Sequence, residues 1–168
     1  NLQRLVAVTS SLGELASVEA VSEISTGQRL SFYQAAIEAF LAQPLAGYGW
    51  EGKIAAVAPY LPDGGAMLAE GHHHLHSDIL NFGVSAGVFG LLAYLLVLAA
   101  PVAGALASPR DSQHRARLVG ASLLSMGYFA CGLSYLMFGY EFHTTLYVCL
   151  TAILLGYCRD APLAPAGR

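Results

Sequence analysis

A long stretch without any charged side chain, from Phe82 to Leu106, constrains the fold of this chain more than any other feature. It is long enough to cross a hydrocarbon core of about 30 Å as one helix. Two further charge-free stretches follow, Leu118 to Tyr140 and the shorter Thr144 to Tyr157. The 168 residues are 55% hydrophobic and 11% charged, whereas soluble domains are roughly a quarter charged. The sequence therefore predicts an all-α integral membrane helical bundle with about three spanning helices.

The basic residues between these stretches predict how the spans are oriented. Arg110, Arg115 and Arg117 lie between the first and second spans, and Arg159 and Arg168 follow the third. Basic residues collect in cytoplasmic loops. We therefore expect residues 1–81 and the turn at 140–143 on the periplasmic face, residues 82–158 within the membrane, and residues 159–168 as a cytoplasmic tail.

Two amphipathic helices and a long loop are predicted before the first span. Apolar residues recur at helical spacing among glutamates over residues 2–24, a pattern too polar to span a bilayer. Ser25 followed by Gln28 is a capping-box signal for a second helix over about residues 28–42, which Pro44 ends. The glycines and prolines that follow predict an irregular loop up to the histidines.

Charge and cysteine content exclude several classes of function. The formal net charge is -3 and no basic block is present, so nucleic acid is not expected as a partner. The three cysteines, Cys131, Cys149 and Cys158, lie in or beside apolar runs and indicate neither a disulfide framework nor a zinc site. Because the chain begins with Asn1 and lacks a signal-peptide pattern, we expect it to be a fragment of a longer protein.

Four histidines and an aspartate stand directly before the first span, in Gly71-His72-His73-His74-Leu75-His76-Ser77-Asp78. Ser77 is expected to cap the following helix, whose N-terminus favours a neutral imidazole at His76 and attracts anions. A neutral histidine beside an anion site is a usable general base. Two other interpretations remain: polar residues that fill an interfacial loop, or a metal site formed by His74, His76 and Asp78, whose spacing matches no standard zinc signature.

Three further residues are candidates for the same site. Arg29 begins the second amphipathic helix, where its guanidinium can bind a diphosphate through two hydrogen bonds or can simply be solvated. Glu141 and His143 lie at the periplasmic ends of the second and third spans, where they can bind substrate or anchor the chain at the membrane interface.

Two motifs resemble those of a known family. Residues 29–49, RLSFYQAAIEAFLAQPLAGYG, are similar to a family stretch in which an arginine opens a helix that ends in Pro-Leu-x-Gly-x-Gly. Residues 74–80, HLHSDIL, with Gly-Val-Phe-Gly at 87–90, resemble its His-x-His-Asn-x-x-Leu motif followed by Gly-Leu-x-Gly. The family is that of the O-antigen ligases and polymerases, polytopic glycosyltransferases of the bacterial inner membrane. Ser77 stands where the family usually has asparagine.

This resemblance implies transfer of a glycan from an undecaprenyl-diphosphate carrier to lipid A-core or another glycan acceptor, on the periplasmic face and among membrane lipids. It implies no cofactor and no metal. Arg29 would hold the carrier diphosphate, and His76, with His74 as second choice, would act on the acceptor hydroxyl or the departing diphosphate. Ser77, Asp78, Glu141 and His143 are the expected substrate-binding residues.

Two rival functions remain open at this point. In the first, the chain is a membrane transport or metal-handling module in which the segment from His72 to His76 captures a cation. In the second, it is a non-catalytic remnant. The family uses about a dozen spans and a further arginine from its N-terminal half, and neither is found in this sequence.

Overall fold

The computed structural model describes Gly27, residues 29–62 and residues 74–159, and these residues form helices and turns without any strand. The elements are α1 (residues 29–42), α2 (Lys53–Val57), a 3₁₀ turn (Ala58–Tyr60), α3 (Asp78–Leu106), α4 (His114–Gly132) and α5 (Glu141–Arg159). The all-α prediction is confirmed. The predicted helix over residues 2–24, the capping signal at Ser25 and Gln28, the histidines His72 and His73 and the tail lie outside the described residues.

The three long helices run alternately up and down, so that their ends meet at two levels. At one level, Asp78 at the start of α3 contacts Met137 and Phe138, which follow α4. At the other level, Arg117 near the start of α4 contacts the carbonyl of Tyr157 near the end of α5. Between the two levels, four buried side chains pack the helices together: Tyr94, Leu98, Tyr128 and Tyr147.

Two of these helices, α3 and α5, are long and apolar enough to cross a membrane. Their outward faces carry exposed large apolar side chains such as Leu96 and Ile153. Helix α4 is as long as α5, but Arg115 and Arg117 lie in its first turn. The third predicted span therefore stays a prediction.

The helix bounds differ from the predicted elements at the end of α4, in the loop after Pro44 and at the start of α5. Helix α4 ends at Gly132, and residues 133–140, predicted inside the second span, form an irregular segment whose backbone is held by contacts with α1 and α3. The predicted irregular loop after Pro44 contains α2 and the 3₁₀ turn. Pro59 is compatible with that turn because a proline near a helix start removes no intrahelical hydrogen bond.

Helix α3 is broken at Ala86 and Gly87, whose backbone angles are not helical. The chain at residues 44–49 fills the break and satisfies its backbone groups. Tyr48 N–H donates to Val84 O at 2.9 Å, Gly49 N–H donates to Ser85 O at 2.8 Å, and Val88 N–H donates to Pro44 O at 2.7 Å. Buried backbone N–H and C=O groups need such hydrogen-bond partners. We call this contact between residues 44–49 and 84–88 the clamp.

Two glycines make the clamp possible. Gly47 and Gly87 both adopt φ near +60°, at +63° and +62°, where residues with side chains are strained. A Cβ atom on Gly47 would lie 2.5 Å from the carbonyl carbon of Ser85, and one on Gly87 would lie 2.3 Å from the carbonyl oxygen of Leu45. The two backbones therefore approach more closely than any other residue type allows.

Helix α1 packs on the part of α3 that precedes the break. Its buried face consists of Phe32, Ala35, Ala36 and Ala39, which form one core with Val57, Leu61, Leu75 and Val84. Small alanine side chains let two helices approach closely. The core therefore anchors α1 beside the segment that carries the histidines.

A buried arginine ties the three long helices together at the end opposite the histidines. Arg117 is 2% exposed, and its guanidinium makes a bidentate ion pair with Asp111 at 3.0 and 3.1 Å. It also donates to the carbonyls of Pro109 and Tyr157. The hydrogen bond from Arg117 lowers the pKa of the Asp111 carboxyl below its usual value.

We expect Arg117→Met to lower the thermal unfolding midpoint in detergent at pH 7, because it removes all of these hydrogen bonds. A carboxyl whose pKa is lowered by folding contributes stability above its unfolded pKa of about 3.9 and loses it below. The difference between wild type and variant should therefore shrink below about pH 4. Arg115→Met, at an exposed position on the same turn, is the control; an equal loss in both variants would contradict the role of Arg117.

Candidate functional site

The histidine segment, residues 74–78, forms the entry to α3 and is held by a buried asparagine. Asn81 is 0% exposed; its Oδ1 atom accepts from Leu75 N–H at 3.3 Å, and its Nδ2 atom donates to Ser77 O at 2.7 Å. The capping prediction for Ser77 is wrong. Ser77 occupies the N-cap position, but its hydroxyl makes no capping hydrogen bond. Instead, the Ser77 carbonyl accepts a hydrogen bond from the Asn81 side chain. No local pattern in the sequence pointed to Asn81.

His76 is held in an unusual backbone conformation beside α1. Its φ is +53°, a left-handed conformation that histidine adopts more readily than most residues but still at some cost in free energy. The Tyr33 hydroxyl donates to the His76 carbonyl at 3.0 Å, and the ring centroids of Phe32 and His76 lie 6.4 Å apart. Helix α1 therefore helps to set the position of this histidine.

Arg29 belongs to the same helix as these two contacts. It is exposed, and it precedes Phe32 and Tyr33 by three and four positions, the spacing that puts residues on one helical face. Arg29 therefore lies on the same face of α1 as the residues that contact His76, one helical turn away. The association of Arg29 with the histidine segment stays a prediction.

His74 makes two hydrogen bonds that define its role. His76 N–H donates to His74 Nδ1 at 3.4 Å, and His74 Nε2 lies 2.9 Å from the Tyr140 hydroxyl oxygen. Since Nδ1 accepts, the proton of a neutral ring sits on Nε2 and is donated to Tyr140. The two imidazoles meet edge to face with centroids 4.4 Å apart. Tyr140 joins His74 to a segment that is distant in sequence, and no local pattern pointed to it.

The prediction of a turn at residues 140–143 is wrong in part, because α5 already begins at Glu141, but Tyr140 does contact the histidine segment. Tyr140 stacks on Tyr135 with centroids 5.7 Å apart, and the His143 ring contacts both tyrosines edge to face at 6.1 and 5.9 Å. Burial, followed by the neighbouring Tyr135, raises the pKa of Tyr140. Glu141 is exposed at the start of α5. This end of the bundle therefore carries two tyrosines, an imidazole and a carboxylate close to His74.

Asp78 is fully buried beneath this surface. Its Oδ1 atom accepts from Met137 N–H at 3.0 Å and from Phe138 N–H at 3.2 Å. These two hydrogen bonds join Asp78 to the irregular segment that leads to Tyr140.

A further buried polar residue, Lys53, begins α2, in the part of the chain before the histidines. Lys53 is 5% exposed; its Nζ atom donates to the Trp50 carbonyl at 2.6 Å and lies 4.3 Å from the centre of the Trp50 ring. Burial lowers the pKa of Lys53, and Glu51 partly offsets this. Trp50 in turn contacts Phe82 on α3. The lysine thus holds Trp50 in place, and no local pattern in the sequence pointed to it.

An apolar groove of about 550 Å³ runs between α3 and α5. It begins at Phe82 and Phe138, close to the buried Asp78, and continues along α5 from Thr144 to Leu155. Its lining is almost wholly apolar. No group of three or more metal-ligating side chains occurs among residues 29–62 and 74–159, and His72 and His73 lie outside that part.

Comparison with protein families gives one match. Residues 2–95 match the family described as O-antigen ligase. Comparisons with curated proteins and with solved structures gave no match. The matched region contains α1, the clamp, the histidine segment and the first part of α3, so the resemblance of the two motifs is confirmed. Because the match covers more than half of its residues, the chain belongs to the O-antigen ligase family of membrane proteins.

Proposed function

We propose that this chain acts in a membrane glycosyltransferase that moves a glycan from undecaprenyl diphosphate to lipid A-core or another glycan hydroxyl on the periplasmic face. The observation that carries the proposal is the contact between α1 and His76, made by Phe32 and the Tyr33 hydroxyl. It brings the helix of Arg29 to an imidazole at the start of α3. A cation for a diphosphate and a base for a hydroxyl are the two groups that such a transfer requires.

The transfer needs one proton acceptor and one anion-binding group. His76 takes the proton of the acceptor hydroxyl as that oxygen attacks the anomeric carbon of the donor sugar. The bond between that carbon and the diphosphate oxygen breaks, and the diphosphate leaves with its lipid and the bonding electrons. Arg29 and the N-terminal dipole of α3 offset the negative charge that develops there.

His76 suits the role of base better than His74. His76 is the histidine that contacts α1, the helix of Arg29, through Phe32 and the Tyr33 hydroxyl, whereas His74 contacts Tyr140 on the other side. His74 instead orients His76 by ring contact and backbone hydrogen bond. Glu141 and His143, on the adjoining turn, would contact the hydroxyl groups of the glycan.

The groove between α3 and α5 supports a lipid-linked donor. Its apolar lining matches a polyprenyl chain, and its upper end at Phe138 lies near the histidine segment. A donor whose lipid lies in this groove would present its diphosphate at the level of Asp78 and the histidines.

The proposed topology places three spans in the bacterial inner membrane. Helices α3, α4 and α5 would all cross, because their ends meet at the same two levels. Arg110, Arg115 and Arg159 lie at the end opposite the histidines, which supports a cytoplasmic position for that end and for the C-terminus. Residues 1–81 would then lie on the periplasmic side, residues 82–158 within the membrane and residues 159–168 in the cytoplasm.

Deletion of the gene that encodes this chain tests the function. We expect the deletion strain to lose a surface glycan, visible as missing bands on a lipopolysaccharide gel, and to accumulate glycan on undecaprenyl diphosphate. The wild-type gene on a plasmid should restore both. Unchanged bands together with an unchanged pool of lipid-linked glycan would contradict the proposal, whereas an accumulated donor with unchanged lipopolysaccharide would indicate a different acceptor.

A further inference from the structure

The irregular segment between α4 and α5 links the buried Asp78 to the histidine segment. Residues 133–140 follow the end of α4 and bring the Tyr140 hydroxyl to within 2.9 Å of His74 Nε2. Two consecutive backbone N–H groups of this segment, at Met137 and Phe138, donate to the same oxygen of Asp78. Asp78 lies only two positions after His76. One buried carboxylate therefore connects the backbone beside both histidines to the segment that carries Tyr140.

We propose that Asp78 is a positioning residue for the transfer reaction, which holds residues 137 and 138 so that Tyr140 meets His74 and His74 orients His76. This role rests on the proposed function. Asp78 is 0% exposed, so it acts through these residues rather than by touching the substrate. A charged oxygen makes stronger hydrogen bonds than a neutral one, which suits a single acceptor that must hold two donors.

The second oxygen of Asp78 lies against the end of α4. Asp78 Oδ2 and the Tyr94 hydroxyl are both buried and have no hydrogen-bond partner among the described residues. A Cβ atom on Gly132 would lie 2.7 Å from Oδ2 and 2.8 Å from the Tyr94 oxygen. Gly132, the last residue of α4, leaves the space that these two atoms occupy. The end of α4 is thus shaped around Asp78, just where the irregular segment begins.

A double-mutant cycle between Asp78 and Tyr140 tests the proposal. The full chain would be assayed in membranes for glycan transfer from an undecaprenyl-diphosphate donor, with kcat and KM measured separately. We expect Asp78→Ala to lower kcat about 100-fold, the order expected for a misplacement of about 1 Å. Tyr140→Phe, which removes one hydrogen bond, should lower it about tenfold. The double variant should be no slower than Asp78→Ala alone, because both changes break one connection.

The conservative variant Asp78→Asn keeps the shape and one acceptor oxygen. Its loss should be only about threefold, as for a weakened hydrogen bond, and should vanish in the Tyr140→Phe background. This variant tests the same coupling if the alanine variant does not accumulate in the membrane. Effects that multiply in either cycle, to about a thousandfold in the alanine cycle, would overturn the proposal.

Two controls separate this proposal from the function on which it rests. Ser125→Ala removes a buried hydrogen bond to Leu98 O in the middle of the bundle, and it should leave kcat unchanged. Equal losses in Ser125→Ala and Asp78→Ala would show a general effect of packing and would overturn the positioning role alone. The function itself is wrong if the wild-type chain transfers no glycan in this assay, whereas transfer by His76→Asn at the wild-type rate would remove His76 as the base and, with it, the role of Asp78.

Discussion

His76→Asn is expected to lower kcat for glycan transfer by about 10²–10⁴-fold, because it removes the group that takes the proton of the acceptor hydroxyl. Asparagine is the best replacement for this test. His76 has a φ of +53°, and asparagine is among the few residues that adopt the left-handed conformation readily. The variant therefore removes the imidazole with little change in the backbone, whereas alanine would add backbone strain to the chemical loss.

The matched control for this prediction is His74→Gln. Glutamine can keep a hydrogen bond to Tyr140, so we expect a loss of about tenfold or less, the order of one weakened hydrogen bond. The amounts of both variants in the membrane should equal that of wild type. A larger loss in His74→Gln than in His76→Asn would reverse the roles of the two histidines.

The variant Arg29→Lys tests the binding of the diphosphate by Arg29 in the same transfer assay. Lysine keeps the positive charge but cannot make the bidentate contact with a phosphate group. We expect a clear fall in kcat that neither higher donor concentration nor lower ionic strength restores. Unchanged transfer in Arg29→Lys would leave a role for charge alone, and unchanged transfer in Arg29→Gln would remove Arg29 from the site.

Gly87→Ala is expected to cost on the order of 3–5 kcal/mol and to prevent most of the protein from accumulating in folded form. Two effects add. The backbone of Gly87 has φ +62° and ψ -148°, a conformation that is essentially restricted to glycine. In addition, the new Cβ would lie 2.3 Å from Leu45 O and 2.4 Å from Pro44 O, which are backbone atoms that cannot rotate away.

Gly127→Ala on α4 is the control for Gly87→Ala. It makes the same chemical change inside a helix, with no atom within 4 Å of the new Cβ, and alanine favours the helix by about 1 kcal/mol. The yield of monodisperse protein after detergent extraction and its thermal midpoint would be measured for both variants. Equal yields and midpoints would show that the clamp does not stabilise the fold.

Several helices could be predicted from the sequence because their patterns are local. The charge-free stretch that begins at Phe82 predicts α3, and the apolar spacing between Arg29 and Pro44 predicts α1. The end of α4 could not be predicted in this way, because the apolar run continues to Tyr140. There the backbone leaves the helix and donates to Asp78, a partner about 60 positions earlier. Composition carries no record of such a contact.

The residues of the candidate site also fall into two groups, those that a local pattern predicts and those that only a long-range contact defines. His74, His76 and Arg29 could be singled out because they carry titratable or charged side chains and stand beside a helix start. Tyr33 and Tyr140 could not, because their partners lie 43 and 66 positions away and nothing local distinguishes these tyrosines from the others. The capping role of Ser77 was wrong because the buried Asn81 satisfies the backbone of that turn instead.

The clamp has a consequence for how this protein can be recombined with its relatives. Residues 44–49 and 84–88 fit each other backbone to backbone, although the chain between them includes the entire loop and the histidine segment. A crossover point placed in that loop would join a turn from one parent to a helix break from another. Functional chimeras should therefore inherit residues 29–90 as one block, with junctions before α1 or beyond the break in α3.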